Sequence, residues 1–452
     1  MKTRFLPMLL IPASFLVQNA PGLVQNAPGQ SAPDMQKILD RLDQLEKQNR
    51  ELLTEIQELR SELKPAPTPA PQTTTTERLD VQEARTADLA QSKVETSQKF
   101  PVSLTGMLLF NAFGNGKYGG GSEYPVSAAL TPAAAASGAT LRQTILGLKF
   151  NGPDLPGDGK ASGTLYMDFW GGTSSANNNL FRVRTATLDL TWNNTTVSVG
   201  QDKPIVSPRE PVTLAQVGLA PLSAAGNLWL WQPQARIEQR FNFSDDSGIK
   251  AQAGVYETSE SYPINGAPAF TNLLEKARPA YQGRLEFFEG SEKRRFEVAP
   301  GFSLSTSHVA GASVASRLAT LDWLARPVAS VEFTGAFFHG DDAAGLGALR
   351  QGFAVLANGS VLPVHTNGAW GQVAFFAAPR LSFHLYGGEE SDHSAGFSAG
   401  NISRNLTYAG NLMYKLAPNV VAAIEIAQNR TDYVVSGARL NNHYDLALGY
   451  LF

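Results

Sequence analysis

Catalysis would require nucleophiles, acid–base pairs or metal ligands at workable spacing, and the sequence offers few. The histidines His308, His339, His365, His384, His393 and His443 are scattered, and none stands at the spacing of a metal-ligand pair. His339 with Asp341 and Asp342, and His393 with Asp392, fall in predicted loops, where such pairs read as solvated side chains. Cysteine is absent, which excludes a disulfide framework and a Cys-based metal centre. The Gly-rich run GKYGGGSEY, residues 116–124, lacks the Lys-Ser/Thr of a phosphate loop and reads as a flexible connection. A lipid-cleaving enzyme would need Ser and His together on an outer face, and no such pair stands out. The chain therefore reads as non-enzymatic, with no cofactor and no metal.

The charges that recur do so at alternate positions. Arg236, Glu238 and Arg240 are interleaved with Ala235, Ile237 and Phe241, and Arg284 and Glu286 with Leu285 and Phe287. Period two places charge on one face of a strand and apolar side chains on the other. With Arg209 and Glu210, which sit in the long segment 204–231, these are the candidates for lining a water-filled passage. Rings of charge at a constriction screen solutes by charge. Two alternatives stay open. The charges on Arg236, Glu238 and Arg240 can brace a wall through salt bridges or form a solute track, and segment 204–231 can fold inward or lie on the surface. The predicted inner face mixes both signs, so no strong charge preference follows.

The elements that must position these residues are strands. Of 452 residues, 17% are charged, against roughly 25% in an average soluble domain. The 24 Phe, 12 Tyr and 6 Trp fall mostly after residue 100. The net charge of −3 provides no basic field for nucleic acid. No apolar run reaches the roughly 18 residues of a membrane helix. Few charges, many aromatics and period-two patterning describe a transmembrane β-barrel. The last segment is the clearest: Tyr444, Leu446, Leu448, Tyr450 and Phe452 alternate with His443, Asp445, Ala447 and Gly449. By this pattern Ala447 faces a hydrated lumen and Leu448 faces lipid.

Dividing the chain at turn signals predicts about sixteen antiparallel strands. They are 101–113, 141–151, 160–170, 181–193, 195–203, 232–243, 248–257, 278–289, 293–305, 314–326, 328–340, 368–378, 379–388, 403–416, 418–431 and 440–452. Short connections at Asn193-Asn194, 244–248, 289–293, Arg326-Pro327, Ala378-Pro379 and Ala417-Pro418 alternate with long ones at 114–140, 204–231, 258–277, 341–367 and 389–402. Short turns on one side and long loops on the other are the topology of a membrane barrel.

The N-terminal quarter differs. Residues 1–30 read as a signal peptide and leader: Lys2 and Arg4 precede an apolar stretch, and LVQNAPG occurs in tandem. Residues 31–64 read as an α-helical coiled coil, with Met35, Leu42, Asn49, Ile56 and Leu63 at a and Ile38, Leu45, Leu52 and Leu59 at d. The heptads span about 44 Å at 1.5 Å per residue. Asn49 is compatible with a dimer, while RLDQLE, Arg41–Glu46, resembles a trimer motif. Residues 65–99 read as a Pro/Thr-rich linker and polar connector.

These parts together resemble the trimeric porins of the phosphate-selective porin O/P superfamily, nearest to the DcaP-like type with an N-terminal coiled coil. The resemblance rests on the order of elements and on FPVSLTGMLLFNAFG, VSVGQDKPIVSPRE and HYDLALGYLF. It implies a homotrimer in the cell outer membrane, surrounded by lipid, with the coiled coil in the periplasm and small hydrophilic solutes crossing passively. It also implies an assembly signal at Tyr444, Leu446, Leu448, Tyr450 and Phe452, read by the outer-membrane barrel assembly machinery. No substrate residue of that family transfers to this chain, and its basic substrate ladder is not evident. The alternative is a tether, with the coiled coil reaching through the periplasm and the barrel acting only as an anchor.

Overall fold

The computed structural model describes Lys47 and residues 101–172, 179–257, 279–291, 293–309 and 312–452. The leader, the coiled-coil seam (Ile38, Leu42, Leu45, Asn49, Leu52, Ile56, Leu59) and the linker lie outside the described residues. The barrel falls within the unit Asp88–Phe452.

Among the described residues, nineteen strands are formed. The first half comprises β1 (Val102–Asn115), β2 (Ala136–Thr140), β3 (Ile145–Leu155), β4 (Gly159–Gly171), β5 (Leu180–Trp192), β6 (Thr195–Asp202), β7 (Gln232–Asn242), β8 (Ser247–Tyr256) and β9 (Ala280–Ser291). The second comprises β10 (Arg294–Val309), β11 (Ala312–Val328), β12 (Val331–Asp341), β13 (Phe353–Val355), β14 (Val361–Pro363), β15 (His365–Ala378), β16 (Leu381–His393), β17 (Ile402–Ala417), β18 (Val420–Tyr433) and β19 (Gly437–Leu451). Strands β2 and β3 pair in succession with β1 and share one position in the wall. Strands β13 and β14 form a separate hairpin within the connection 342–364, which also holds the 3-10 turn Ala344–Leu346. The wall is therefore a sixteen-strand antiparallel barrel, closed where β1 pairs with β19. Closure leaves no edge strand, so every wall amide can find a partner.

All sixteen predicted wall strands are present, with ends moved by a few residues. Three details differ. The β11–β12 turn is Ala329-Ser330 rather than Arg326-Pro327: Pro327 lies within β11, where the register shifts between Ala325 and Val328. A bulge accommodates proline because no ladder donor is required there. The connection 114–140 is also partly strand, since β2 occupies its last five residues. Finally, His339 and Asp341 lie on β12, and Asp392 and His393 on β16, rather than in loops, because the ladders that pair both strands with β15 run on to those residues.

Alternation sorts the side chains as the sequence predicts. On β19, Tyr444, Leu446, Leu448 and Tyr450 are exposed on the outer face, while His443, Asp445 and Ala447 are buried inside. Phe243, Phe296, Phe333, Phe375, Phe383 and Tyr450 are likewise exposed outward, all towards the short-turn end. This is the aromatic girdle expected at a membrane boundary.

Ala447, however, does not face open water. It packs with Leu109 and Ala423, against Met107, Leu214, Val217 and Met413. The expectation of a hydrated lumen at this position is corrected: one side of the interior is filled by the connections that fold into it.

Candidate functional site

Residues 203–231, between β6 and β7, enter the barrel and follow its inner wall. The connection is inside, not on the surface. Its course is set by polar side chains that project inward at alternate strand positions and capture loop backbone. The Arg209 Nε donates to Asp322 Oδ1 at 2.9 Å on β11, and the same guanidinium pairs with Glu297 on β10. The Val212 N–H donates to Gln372 Oε1 at 2.6 Å, and Asn411 Nδ2 donates to the Val212 carbonyl at 2.9 Å. Thr213 Oγ1 donates to Glu425. Asn111 Nδ2 donates to the Leu214 carbonyl at 2.8 Å. The amides of Val217 and Gly218 donate to Gln143 Oε1, while Gln143 Nε2 donates to the Ala215 carbonyl at 2.8 Å. From Arg209 to Gly218 the loop thus passes from β10 through β15, β17, β18 and β1 to the start of β3.

The arc ends in a latch on β4 and β5. Asp168 is fully buried and accepts from Arg182 Nη2 at 2.6 Å and Arg184 Nη1 at 2.9 Å. The same two guanidinium groups donate to the carbonyls of Gly218 and Val217. Both also lie over the Trp231 ring, at 5.0 and 4.5 Å from its centroid, a favourable contact for a cation on an aromatic face.

The return of the loop packs tightly against the opposite wall. Leu222 and Ala225 join Ala336, Trp370, Tyr386, Ala409 and Ala427 in one core. Gly226 has φ 94°, and a Cβ there would lie 2.3 Å from the Ala369 carbonyl oxygen, so only glycine fits. Leu222 and Ala224 also adopt left-handed φ of 58° and 63°, each costing about 1–2 kcal/mol. Packing and the Asn405 Nδ2 bond to the Ala224 carbonyl, 2.6 Å, hold them there. The connection after β1 also turns inward: the Ala128 N–H donates to Thr431 Oγ1 at 2.8 Å, and Tyr124 Oη donates to Glu425 Oε1 at 3.3 Å. Burial, with the Glu425 carboxylate beside it, raises the Tyr124 phenol well above its usual range, which keeps it a donor.

What stays open lies between this arc and β4–β9. Side chains that point away from lipid there keep access to water: Arg182 is 25% exposed, Lys203 27%, Arg236 22% and Glu210 35%. The pairs Lys203–Glu210 and Arg236–Asp202, each 2.8 Å, stand at the rim. On the β15–β19 side the inward Trp370, Tyr386, Asn405, Asn411, Glu425 and Asp445 are all buried.

The candidates from sequence divide accordingly. Arg209, Glu210, Arg236 and Glu238 lie on the inner side around this open sector. Arg240, at the short-turn end, donates to Asn242 Oδ1 and covers the Phe288 ring. Arg284 and Glu286 are not on the open rim but buried, paired with each other at 2.6 Å and with Asp322 and Lys250. The two charge runs do not face each other directly, because β8 lies between β7 and β9. Gln252 on β8 joins them, donating to Glu238 Oε2 and accepting from Arg284 Nη1, both at 2.8 Å. Sequence reasoning missed the Arg182–Arg184 latch, although the alternation in FRVR was a legible signal. It also missed Gln143, Gln372 and Asn111, which carry no periodic mark.

No family model matches the chain, and no curated protein is similar to it in sequence. Among solved structures, the outer membrane channel DcaP of Acinetobacter baumannii superposes with a TM-score of 0.64 at 17% identity, over 78% of this chain and 97% of that one. OprB of Pseudomonas putida superposes with a TM-score of 0.50 at 10% identity, over 81% and 97%. These likenesses show a porin-like barrel fold.

Proposed function

We propose that this protein is an outer-membrane porin through which small hydrophilic solutes diffuse passively. The observation that carries the reading is the inward arc 203–231, which narrows a sixteen-strand barrel to one charged, water-accessible sector. A barrel of this size is wide enough for an aqueous channel, and a loop anchored inside it by Arg209, Gln143 and the Asp168 latch sets the free cross-section. Mixed charge at Arg182, Lys203, Glu210 and Arg236 favours polar solutes of either sign over apolar ones.

The finer reading is a homotrimer of the DcaP-like type, with residues 31–64 as a periplasmic coiled coil and the β19 outer-face residues, ending in Phe452, recognised during assembly. An exposed terminal strand can add to the sheet of an assembly factor by β-augmentation.

Planar-bilayer recording of the detergent-refolded protein tests the channel reading. Defined open-channel steps that scale with salt concentration are expected. A barrel that inserts without steps would support the tether alternative. Liposome swelling with graded sugars and organic acids would then rank the solutes by size and charge.

A further inference from the structure

We infer that the outer face of β11, β12, β15, β16 and β17 binds a phosphorylated glycolipid of the outer leaflet, with one acyl chain in a groove of the wall and the phosphates on an Arg/His cluster above it. The groove has a volume of about 510 Å³ and opens towards lipid. Trp323 on β11 and Tyr408 on β17 form its two sides, and Phe333, Val373 and Leu385 line its short-turn end. Its floor is Gly371 and Gly387, register partners on β15 and β16. A third glycine of the same row, Gly335, lies under Trp323, where a Cβ would come within 2.2 Å of the ring. Gly371 answers no such need inside the chain. Its φ is not left-handed, and a Cβ there would meet only the Thr334 carbonyl oxygen, at 3.8 Å. Strands favour β-branched and aromatic residues over glycine, so the missing side chain serves what lies outside the wall.

His365 stands six residues along β15 from Gly371, towards the long-loop end. That is about 20 Å along a strand and about 15 Å of depth at a tilt near 40°, which is one leaflet of a hydrocarbon core about 30 Å thick. Long loops face the outside, so groove and cluster together span the outer leaflet. At the upper end the outward row reads Arg317, Asp341, His365 and His393. The row beneath it reads His339, Asn367, Ser391 and Arg404.

The carboxylates here are engaged by neighbouring side chains. Asp341 accepts from His365 Nδ1, Glu389 accepts from Arg404 Nη2 at 2.5 Å, and on β18 Asp432 stands 3.7 Å from Arg430. What remains unpaired is cationic or donating. Arg317 and His393 are exposed and have no partner among the described residues, and Arg404 Nε has none either. His365 and His339 use Nδ1 on Asp341 and Asn367 and keep Nε2 free. Guanidinium groups bind phosphate oxygens through forked N–H pairs, and basic patches at this depth recognise lipid headgroups. Arg317 and Arg404 stand four strand spacings apart, about 19 Å, which matches two phosphates on linked sugars better than one phosphodiester. The apolar groove and the cation cluster are separate observations, and a single diphosphorylated glycolipid satisfies both.

The test uses full-length protein refolded in detergent and titrated with diphosphoryl lipid A, phosphatidylglycerol and inorganic phosphate, with bound lipid counted by native mass spectrometry. Diphosphoryl lipid A should bind saturably, one per chain, and at least about tenfold more tightly than phosphatidylglycerol, because only it carries a second phosphate. Arg317→Gln combined with Arg404→Gln should weaken it at least about tenfold, since charge-assisted bonds to both phosphates are lost. Gly371→Leu, which fills the groove, should weaken it by a similar factor. Gly371→Val does the same with a smaller side chain, should the leucine variant not refold. Ala253→Leu, exposed on the outer face of β8, should bind as the parent does. Undiminished affinity in the Gly371 variants would overturn the groove as the chain site, and equal affinity for phosphatidylglycerol would overturn the glycolipid. Displacement of the lipid by an equal concentration of inorganic phosphate would reduce the cluster to an anion patch and overturn the proposal. The readout needs no channel activity, so it stands or falls separately from the porin reading.

Discussion

Asp168→Asn is the substitution that most directly questions the constriction. The parent carboxylate takes three charge-assisted bonds, from Arg182 Nη2 at 2.6 Å, Arg182 Nε at 3.1 Å and Arg184 Nη1 at 2.9 Å, and a further one from the Trp170 N–H at 3.0 Å. A hydrogen bond to a charged group contributes about 1.5–3 kcal/mol, and asparagine retains one acceptor oxygen. Arg182 and Arg184 are mostly shielded, at 25% and 13% exposed. The expected destabilisation is about 2–4 kcal/mol, after a discount for the water that reaches Arg182. Two uncompensated guanidinium groups would then remain at the rim, and their hold on the carbonyls of Val217 and Gly218 would loosen. In planar bilayers the reversal potential under a salt gradient should move towards anion selectivity, and open-channel noise should rise. Adding Arg184→Gln should recover part of the lost stability, because it removes one unpaired cation. Unchanged selectivity and noise, with a folded barrel, would refute the idea that this latch borders the conducting path.

Leu448→Arg places a charge against lipid and should cost about 2–4 kcal/mol near the bilayer midplane; Ala447→Arg, packed against Leu109 and Leu214, should destabilise at least as much by overfilling the interior, as urea titration in detergent would show. Deleting Phe452 removes the reciprocal backbone bonds with Gly106, 2.9 and 3.1 Å, worth about 1–3 kcal/mol together; less heat-modifiable barrel should reach the membrane fraction, and a normal yield would argue against a closing and assembly role. A peptide of residues 31–64 should sediment as a trimer at equilibrium, whereas a clean dimer would make Asn49 the specifying residue.

The wall was legible because its signal is local. Alternation such as Tyr444, Leu446 and Leu448 against His443, Asp445 and Ala447 needs only neighbouring residues, and a strand buried on one face repeats every second position whatever lies across from it. Strand number, the alternation of short and long connections and the inward direction of Arg236 and Glu238 follow from that period. The contents of the barrel do not. Whether 203–231 fills it or leaves it depends on Thr213 meeting Glu425, 212 residues away, and on Arg209 meeting Asp322, 113 residues away. Those bonds are single polar side chains on otherwise ordinary strands, and no local pattern announces them. For the same reason Arg284 and Glu286 had the right face but the wrong surroundings, and Ala447 had the right parity but a packed core where open water was expected. Sequence by itself determined a closed barrel and which side chains turn inward. Only the tertiary structure decided which of those side chains meet water, because that depends on where a loop with few apolar periodicities finds its partners.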